Sequence, residues 1–254
     1  MTVISDVVQM RRTAKACFQA LAHKSKLSVE RGISNPKLRP EAATNSVPCH
    51  DNTLIIFDWD DTLLCSSALR QGDAAASKAG STGLASLGKM VLSVLELAES
   101  LGNLAIVTNA KAGWVQGSAA ILLPMILPFL LRIPVIYARE EHSKLFPSSS
   151  MQWKLQTFRE LQRLNATVTN VVVVGDSNDE IQAAGALRME LPALRVKQVK
   201  LLSRPSLPEL GQQLELLRGE LRRVVQSLES ETLEVLLEPG LGESPFVGRI
   251  RRLR

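Results

Sequence analysis

Short apolar runs alternate with longer helical patterns from residue 52 onward, and this alternation limits the possible fold more than any other feature. Continuous apolar strands separated by helices are typical of parallel sheets, because both faces of such a sheet are buried. The pattern therefore predicts an α/β fold with a parallel central sheet and helices on both faces. The predicted strands are 53–57, 104–107, 135–138, 171–174 and 196–201, and the predicted helices are 86–101, 114–131, 152–164, 180–187 and 207–228.

The residues before this pattern differ in composition and charge. Residues 1–50 carry eight lysines or arginines against three acidic residues, whereas the rest of the chain is balanced, with 22 of each sign. We predict a basic N-terminal extension and linker at 1–50, an α/β domain at 51–230, and a C-terminal extension with a basic tail at 231–254. The balanced charge of the domain argues against nucleic-acid binding, since that requires a concentrated basic surface.

The sequence also gives expectations about the compartment. Three cysteines are too few for a disulfide framework, which favours an intracellular protein in a reducing environment. The N-terminal segment lacks a secretory pattern and resembles an organelle transit peptide as much as a loosely docked extension, so we expect a cytoplasmic or organellar protein. The apolar stretch 119–138 contains three prolines and an arginine, and we therefore predict a buried helix and a strand there, with no membrane span.

Acidic and hydroxyl side chains follow three of the predicted strands. The first strand leads to Asp58 and Asp60, the second to Thr108 and Asn109, and the fourth to residues 176–180. Ligands of open parallel sheets bind beyond the carboxyl ends of the strands. Carboxylates gathered there repel one another unless a cation neutralises them, and oxygen ligands with few histidines favour Mg²⁺. The sequence therefore predicts a magnesium site at this edge of the sheet.

The spacing of Asp58 and Asp60 suits phosphoryl chemistry. If the backbone turns after the strand, both carboxyl groups face one small volume. One carboxylate can attack phosphorus and form an acyl phosphate, while the other protonates the leaving oxygen and later activates water. Thr108 can donate a hydrogen bond to a phosphoryl oxygen, and a lysine is needed to balance the developing charge. Asp61, in contrast, is predicted to be a helix cap or a residue that supports the catalytic groups, rather than a catalyst.

The residues at these strand ends resemble the haloacid-dehalogenase-like superfamily. Residues 54–64, LIIFDWDDTLL, are similar to its first motif, a hydrophobic strand followed by Asp-x-Asp-x-Thr. Residues 105–109 and 172–177 are similar to its second and fourth motifs. The resemblance spans residues 53–201 and implies a Rossmann-like three-layer sandwich. Shorter segments, such as Gly113 with Trp114, also resemble a poorly characterised group of such proteins in algae, plants and protists.

The resemblance implies a role for each matching residue. Asp58 matches the nucleophile and a metal ligand, and Asp60 matches the general acid/base, whose backbone carbonyl also binds the metal. Thr108 matches the phosphoryl-binding hydroxyl, and Asn109, the next residue, is predicted to bind phosphate as well. Asp176 matches the metal-binding acid of the fourth motif.

Two positions of the resemblance leave alternatives open. The second acid of the fourth motif is expected four residues after the first, which favours Glu180 as a metal ligand over Asp179. The lysine of the third motif should lie before the fourth strand. Lys154 fits this position best as a catalytic and phosphate-binding residue, Lys144 is the alternative, and Lys111 is too close to the second strand.

The spaces between the motifs are too short for a large cap domain. The part at 66–86 is rich in serine, glycine and alanine, which favours a flexible loop over a small helical cap. The site should therefore be open, and this favours a bulky substrate such as a phosphoprotein. We predict a Mg²⁺-dependent phosphatase that forms an aspartyl phosphate and acts on a phosphorylated small molecule or protein. A non-catalytic binding protein and a phosphotransferase are the alternatives.

Overall fold

The computed structural model describes residues 52–71, 74–165, 167–240 and 246–253. The predicted extension at 1–50, with its transit-peptide interpretation, lies outside the described residues. Among the described residues, seven strands form one sheet. They are β1 (Thr53–Phe57), β2 (Asn103–Thr108), β3 (Val135–Tyr137), β4 (Asn170–Gly175), β5 (Arg195–Lys200), β6 (Glu231–Pro239) and β7 (Phe246–Leu253).

The strand order of the sheet is β3-β2-β1-β4-β5-β6-β7, and all neighbours are parallel except β6 and β7. Strand β1 lies inside the sheet, and all five of its residues are buried. The chain continues from β1 to one side through β2 and β3, and to the other side through β4 and β5. Such a change of direction opens a crevice beyond the carboxyl ends of the strands, where ligands of open α/β sheets bind.

The helices of the described residues connect these strands. They are α1 (Ser66–Gln71), α2 (Ala74–Glu99), α3 (Trp114–Leu122), α4 (Leu127–Leu130), α5 (Ala138–His142), α6 (Ser150–Leu164), α7 (Asn178–Glu190) and α8 (Leu207–Gln226).

Successive side chains of the sheet enter two separate cores. Ile55 and Phe57 of β1 belong to a core that includes residues of α2, α3 and α8. Leu54 and Ile56 belong to a second core with residues of α6 and α7. Helices thus cover both faces of a mostly parallel sheet, and the predicted Rossmann-like three-layer α/β fold is confirmed.

The C-terminal segment differs from the prediction. The extension predicted at 231–254 contains β6 and β7, which continue the sheet beyond β5. Glu234 and Arg251 are paired across the two strands, and their side chains lie 2.7 Å apart. Arg249 and Arg251 of the predicted basic tail are therefore paired with glutamates of β6, and such opposite-charge pairs stabilise a sheet.

The segment predicted as a flexible loop at 66–86 is also different, because it contains α1 and the first part of α2. Further along α2, Leu87, Val91 and Leu95 are buried in the core of the sheet. This helix is therefore part of the outer layer. Among the described residues no separate cap domain covers the carboxyl ends of the strands.

The single helix predicted at 114–131 is divided in two. Helix α3 ends at Leu122, and a 3-10 turn at Pro124–Ile126 leads into α4. Proline has no backbone N–H to donate to the preceding turn, so the α-helix cannot continue through Pro124. No helix in the part of the chain that the structure describes is long and apolar enough to cross a membrane.

Candidate active site

The backbone turns sharply after β1 and brings Asp58 and Asp60 to one cleft. The carbonyl of Trp59 accepts a hydrogen bond from the N–H of Leu63 at 2.9 Å, which closes the turn. Asp61 lies within the turn at a φ of 55°, a left-handed conformation that aspartate adopts more readily than most residues. Asp58 and Asp60 both line the cleft that results.

The cleft lies at the carboxyl ends of β1, β2 and β4 and has a volume of about 570 Å³. This volume is within the usual range of small-molecule sites. Six of the seven residues predicted for the site line it, and the seventh, Glu180, contacts one of them. The six are Asp58, Asp60, Thr108, Asn109, Lys154 and Asp176.

Lys154 of α6 is the lysine that meets the predicted nucleophile. Its side chain is buried, and Nζ lies 3.1 Å from Asp58 Oδ1 and 2.8 Å from Glu180 Oε2. Burial alone would lower the pKa of Lys154, but the two carboxylates outweigh it and raise this pKa above its usual value. Lys144 and Lys111 are both exposed; Lys111 lines the cleft, whereas Lys144 does not.

Glu180 is almost fully buried, and three donors bind its carboxylate. The N–H and the hydroxyl of Ser177 donate at 2.5 and 2.6 Å, and Lys154 donates at 2.8 Å. Ser177 and Glu180 form a capping box at the start of α7. Burial acts to raise the pKa of Glu180, but the charge of Lys154 and these hydrogen bonds lower it overall. Asp179 is half-buried and lines the cleft; its N–H donates to the Ser177 hydroxyl at 3.2 Å, but its carboxylate does not contact Glu180 or Lys154 among the described residues.

Asp58, Asp176 and Glu180 form the candidate metal centre, since one oxygen of each lies within 4.8 Å of the others. Burial, reinforced by neighbouring carboxylates, raises the pKa of Asp58 and of Asp176 to about 7. Asp58 Oδ1 forms an ion pair with Lys154 at 3.1 Å, and among the described residues no other donor reaches it. Three buried carboxylates that share one lysine carry more negative charge than that lysine neutralises, so the group fits a hard divalent cation such as Mg²⁺.

Asp60 lies at the rim of the cleft and is more exposed than Asp58. The indole N–H of Trp114 donates to Asp60 Oδ1 at 3.0 Å, and Arg70 lies 3.5 Å from the same oxygen. Sequence reasoning did not assign Trp114 or Arg70 to the site. Trp114 could have been predicted to lie near the cleft, because it starts the helix that follows the second motif.

The polar residues at the end of β2 face different partners. Thr108 is buried, and its Oγ1 accepts the N–H of Ala110 at 3.1 Å, which leaves the hydroxyl proton to be donated into the cleft. Asn109 donates from Nδ2 to the carbonyl of Ser150 at 3.3 Å, so its amide group anchors the start of α6. Its Oδ1 is buried and has no partner among the described residues.

The turns around the cleft are fixed by further contacts. Asp61 accepts the backbone N–H of Ser67 at 2.8 Å, so its carboxylate binds the first turn of α1. The ammonium group of Lys200 contacts the backbone carbonyl of Asp176, and Thr62 Oγ1 lies 3.5 Å from Asp176 Oδ1. Lys200 and Thr62 thereby hold Asp176 in place, although neither was predicted to take part.

Comparison with known proteins gives no family assignment. No family model matches the chain, and no curated protein matches it. Among solved structures, the chain is similar to TubZ of Clostridium botulinum phage c-st, with 8% identity and a TM-score of 0.33. The match covers 72% of this chain and 51% of TubZ, so the chain spans about half the length of that protein. A likeness this low carries no argument about fold or function.

Proposed function

We propose that this protein is a Mg²⁺-dependent phosphomonoester hydrolase that works through an aspartyl phosphate on Asp58. The observation that carries the proposal is the position of the Asp58 carboxylate. It is buried at the base of an open cleft, beside Lys154 and two further carboxylates. The sequence resemblance to the haloacid-dehalogenase-like superfamily supports the same reaction. The open cleft suits a phosphorylated small molecule or an exposed phosphate on a protein.

The proposed reaction begins with attack of the Asp58 carboxylate on phosphorus. As the new bond forms, the bond from phosphorus to the ester oxygen breaks, and Asp60 gives its proton to that oxygen. Asp60 then takes a proton from water, whose oxygen attacks phosphorus and displaces Asp58. Inorganic phosphate leaves, and both carboxyl groups return to their starting states.

Lys154 and Thr108 would bind the phosphoryl oxygens during this reaction. In the free protein Lys154 is paired with Asp58 and Glu180. When Asp58 is esterified it loses its charge, so the ammonium group can turn to the phosphoryl group instead. Asp58, Asp176 and Glu180 would hold Mg²⁺, which when bound offsets the charge of the phosphoryl group.

The direct test is release of phosphate from an aryl phosphate by the full chain, with and without Mg²⁺. Asp58→Asn should lower the rate by more than about 1000-fold, because an amide cannot serve as the nucleophile. Asp179→Asn is the matched control, since this carboxylate lines the same cleft outside the metal centre. Activity that survives Asp58→Asn would exclude Asp58 as nucleophile, and loss in Asp179→Asn alone would assign the metal site to Asp179.

A non-catalytic binding protein is the second candidate, and the environment of Glu180 favours it. Among the described residues, Ser177 and Lys154 supply a donor to each of its two oxygens, so the carboxylate is already neutralised without a metal ion. A protein of this kind would keep the fold without turning over substrate. Beryllium fluoride, which mimics a phosphoryl group on aspartate, separates the two functions. Mg²⁺-dependent binding of this mimic favours the hydrolase, and its failure to bind favours the binding protein.

A further inference from the structure

A second group of metal-binding side chains lies outside the cleft, between α5 and α6. It consists of Glu141 and His142 at the end of α5 and Glu160 in α6. One ligand atom of each residue lies within 4.8 Å of the others. None of the three lines the cleft, and His142 is the one histidine among the described residues.

The imidazole of His142 is the unusual member of this group. Its side chain is only 8% exposed, and Nε2 has no hydrogen-bond partner among the described residues. Nε2 lies 3.8 Å from a carboxylate oxygen of Glu141 and 3.8 Å from one of Glu160. A buried polar atom without a partner is costly, and here it is aimed between two carboxylates.

The charges of the group call for a cation. Glu141 and Glu160 are about half-exposed, and among the described residues neither forms an ion pair with a lysine or an arginine. A charge-assisted hydrogen bond from an imidazolium would place its nitrogen about 2.7–2.9 Å from the oxygen, well below the observed 3.8 Å. In a tetrahedral zinc site, two ligand atoms lie about 3.3 Å apart. A small rotation of the half-exposed carboxylates would shorten the observed 3.8 Å to this distance.

We propose that Glu141, His142 and Glu160 bind one divalent cation of the zinc class at the surface between α5 and α6. An imidazole nitrogen with two carboxylate oxygens is a donor set that suits Zn²⁺ better than Mg²⁺, which prefers oxygen ligands alone. The exposed side leaves a fourth position for water. The ion would link two helices, and the second of them carries Lys154 into the cleft.

The test is a calorimetric titration of the chelator-treated, tag-free full chain with Zn²⁺, in excess Mg²⁺ that competes for the proposed magnesium site of the cleft. One Zn²⁺ should bind per chain, and Glu160→Gln should weaken it by more than about tenfold, since even indirect partners of a metal ligand contribute that much. Glu215→Gln is the matched control, because Glu215 is an exposed glutamate of α8. Titration with Co²⁺, followed by its visible absorption, should show a site of low coordination number.

His142→Gln should abolish zinc binding. If this variant fails to fold, Glu160→Gln still tests the site, because the Glu160 side chain is half-exposed. Asp176→Asn alters the cleft alone and should leave zinc binding unchanged. Absence of zinc binding, or equal binding by Glu160→Gln and the wild type, overturns the proposal. Loss of binding in Asp176→Asn alone would mean that zinc occupies the cleft, which also overturns it. Neither result depends on whether the cleft hydrolyses phosphate esters.

Discussion

Replacement of Lys154 by methionine tests the charge balance of the cleft. Methionine keeps much of the length of the side chain but removes the ammonium group that lies 3.1 Å from Asp58 and 2.8 Å from Glu180. Both carboxylates are nearly inaccessible to water, so neither can be solvated in place of the lost partner. Removal of one member of a buried ion pair typically costs about 3–5 kcal/mol.

The expected loss lies near the lower end of this range. The pKa of Asp58 is already about 7, so this group can take up a proton when Lys154 is absent. Glu180 also keeps the N–H and hydroxyl of Ser177. We therefore expect the free energy of unfolding to fall by about 3 kcal/mol, which corresponds to a shift of roughly 1.5 M in the urea midpoint if m is about 2 kcal/mol/M.

The assay is urea unfolding in chelator-containing buffer, with Lys144→Met as the control because Lys144 is an exposed lysine outside the cleft. That control should stay within about 0.5 kcal/mol of the wild type. The cost of Lys154→Met should shrink on acidification, since protonated carboxyl groups no longer need a partner. A variant as stable as the wild type above about pH 7 would refute the reasoning, because it would mean that Asp58 and Glu180 do not depend on this cation.

Three further predictions follow from the same contacts. Because the pKa of Asp58 and Asp176 is raised to about 7, metal-free stability should be lost as the pH rises from about 4 through 7, and urea midpoints should record the fall; a flat profile would contradict it. Trp114→Phe removes the N–H that orients Asp60, so kcat on an aryl phosphate should drop by up to about tenfold with less change in KM. An unchanged kcat would mean that Asp60 does not need this hydrogen bond. Gly175→Ala places a methyl group against the buried glutamate of α7, and we expect a lower melting temperature and a loss of about 1–3 kcal/mol, whereas wild-type stability would show that this glutamate can move aside.

The central strands were predictable because their signal is local. Strand β1 has the predicted bounds, and β2, β4 and β5 differ from their predictions by a residue or so at either end. The interiors of β1, β2 and β4 are short apolar runs, since helices cover them on both sides, and the four middle residues of β5 are buried as well. Asp58 follows β1, Thr108 ends β2 and Asp176 follows β4. The position of the cleft could therefore be predicted from the sequence alone.

The edge of the sheet was not predictable in the same way. In β6 the burial alternates, and in β7 most side chains are exposed, so neither strand is a continuous apolar run. Their pairing depends on contacts between strands, such as Arg249 with Glu238 and Arg251 with Glu234. Neither segment contains both partners of these pairs. The rim of the cleft was missed for the same reason, because Trp114 meets Asp60 only in the folded chain.

Glu180 connects the charge balance of the cleft with its capacity for a metal ion. Lys154 and a divalent cation would both neutralise Asp58 and Glu180, so each reduces the need for the other. A cation that binds only the folded protein adds stability that increases with the logarithm of its concentration once this exceeds the dissociation constant. If Glu180 is a metal ligand, Lys154→Met should therefore gain more from added Mg²⁺ than the wild type gains, as a larger shift of its urea midpoint. An equal shift in the two proteins would instead indicate that Mg²⁺ binds without Asp58 and Glu180, and that both are only counter-ions of Lys154.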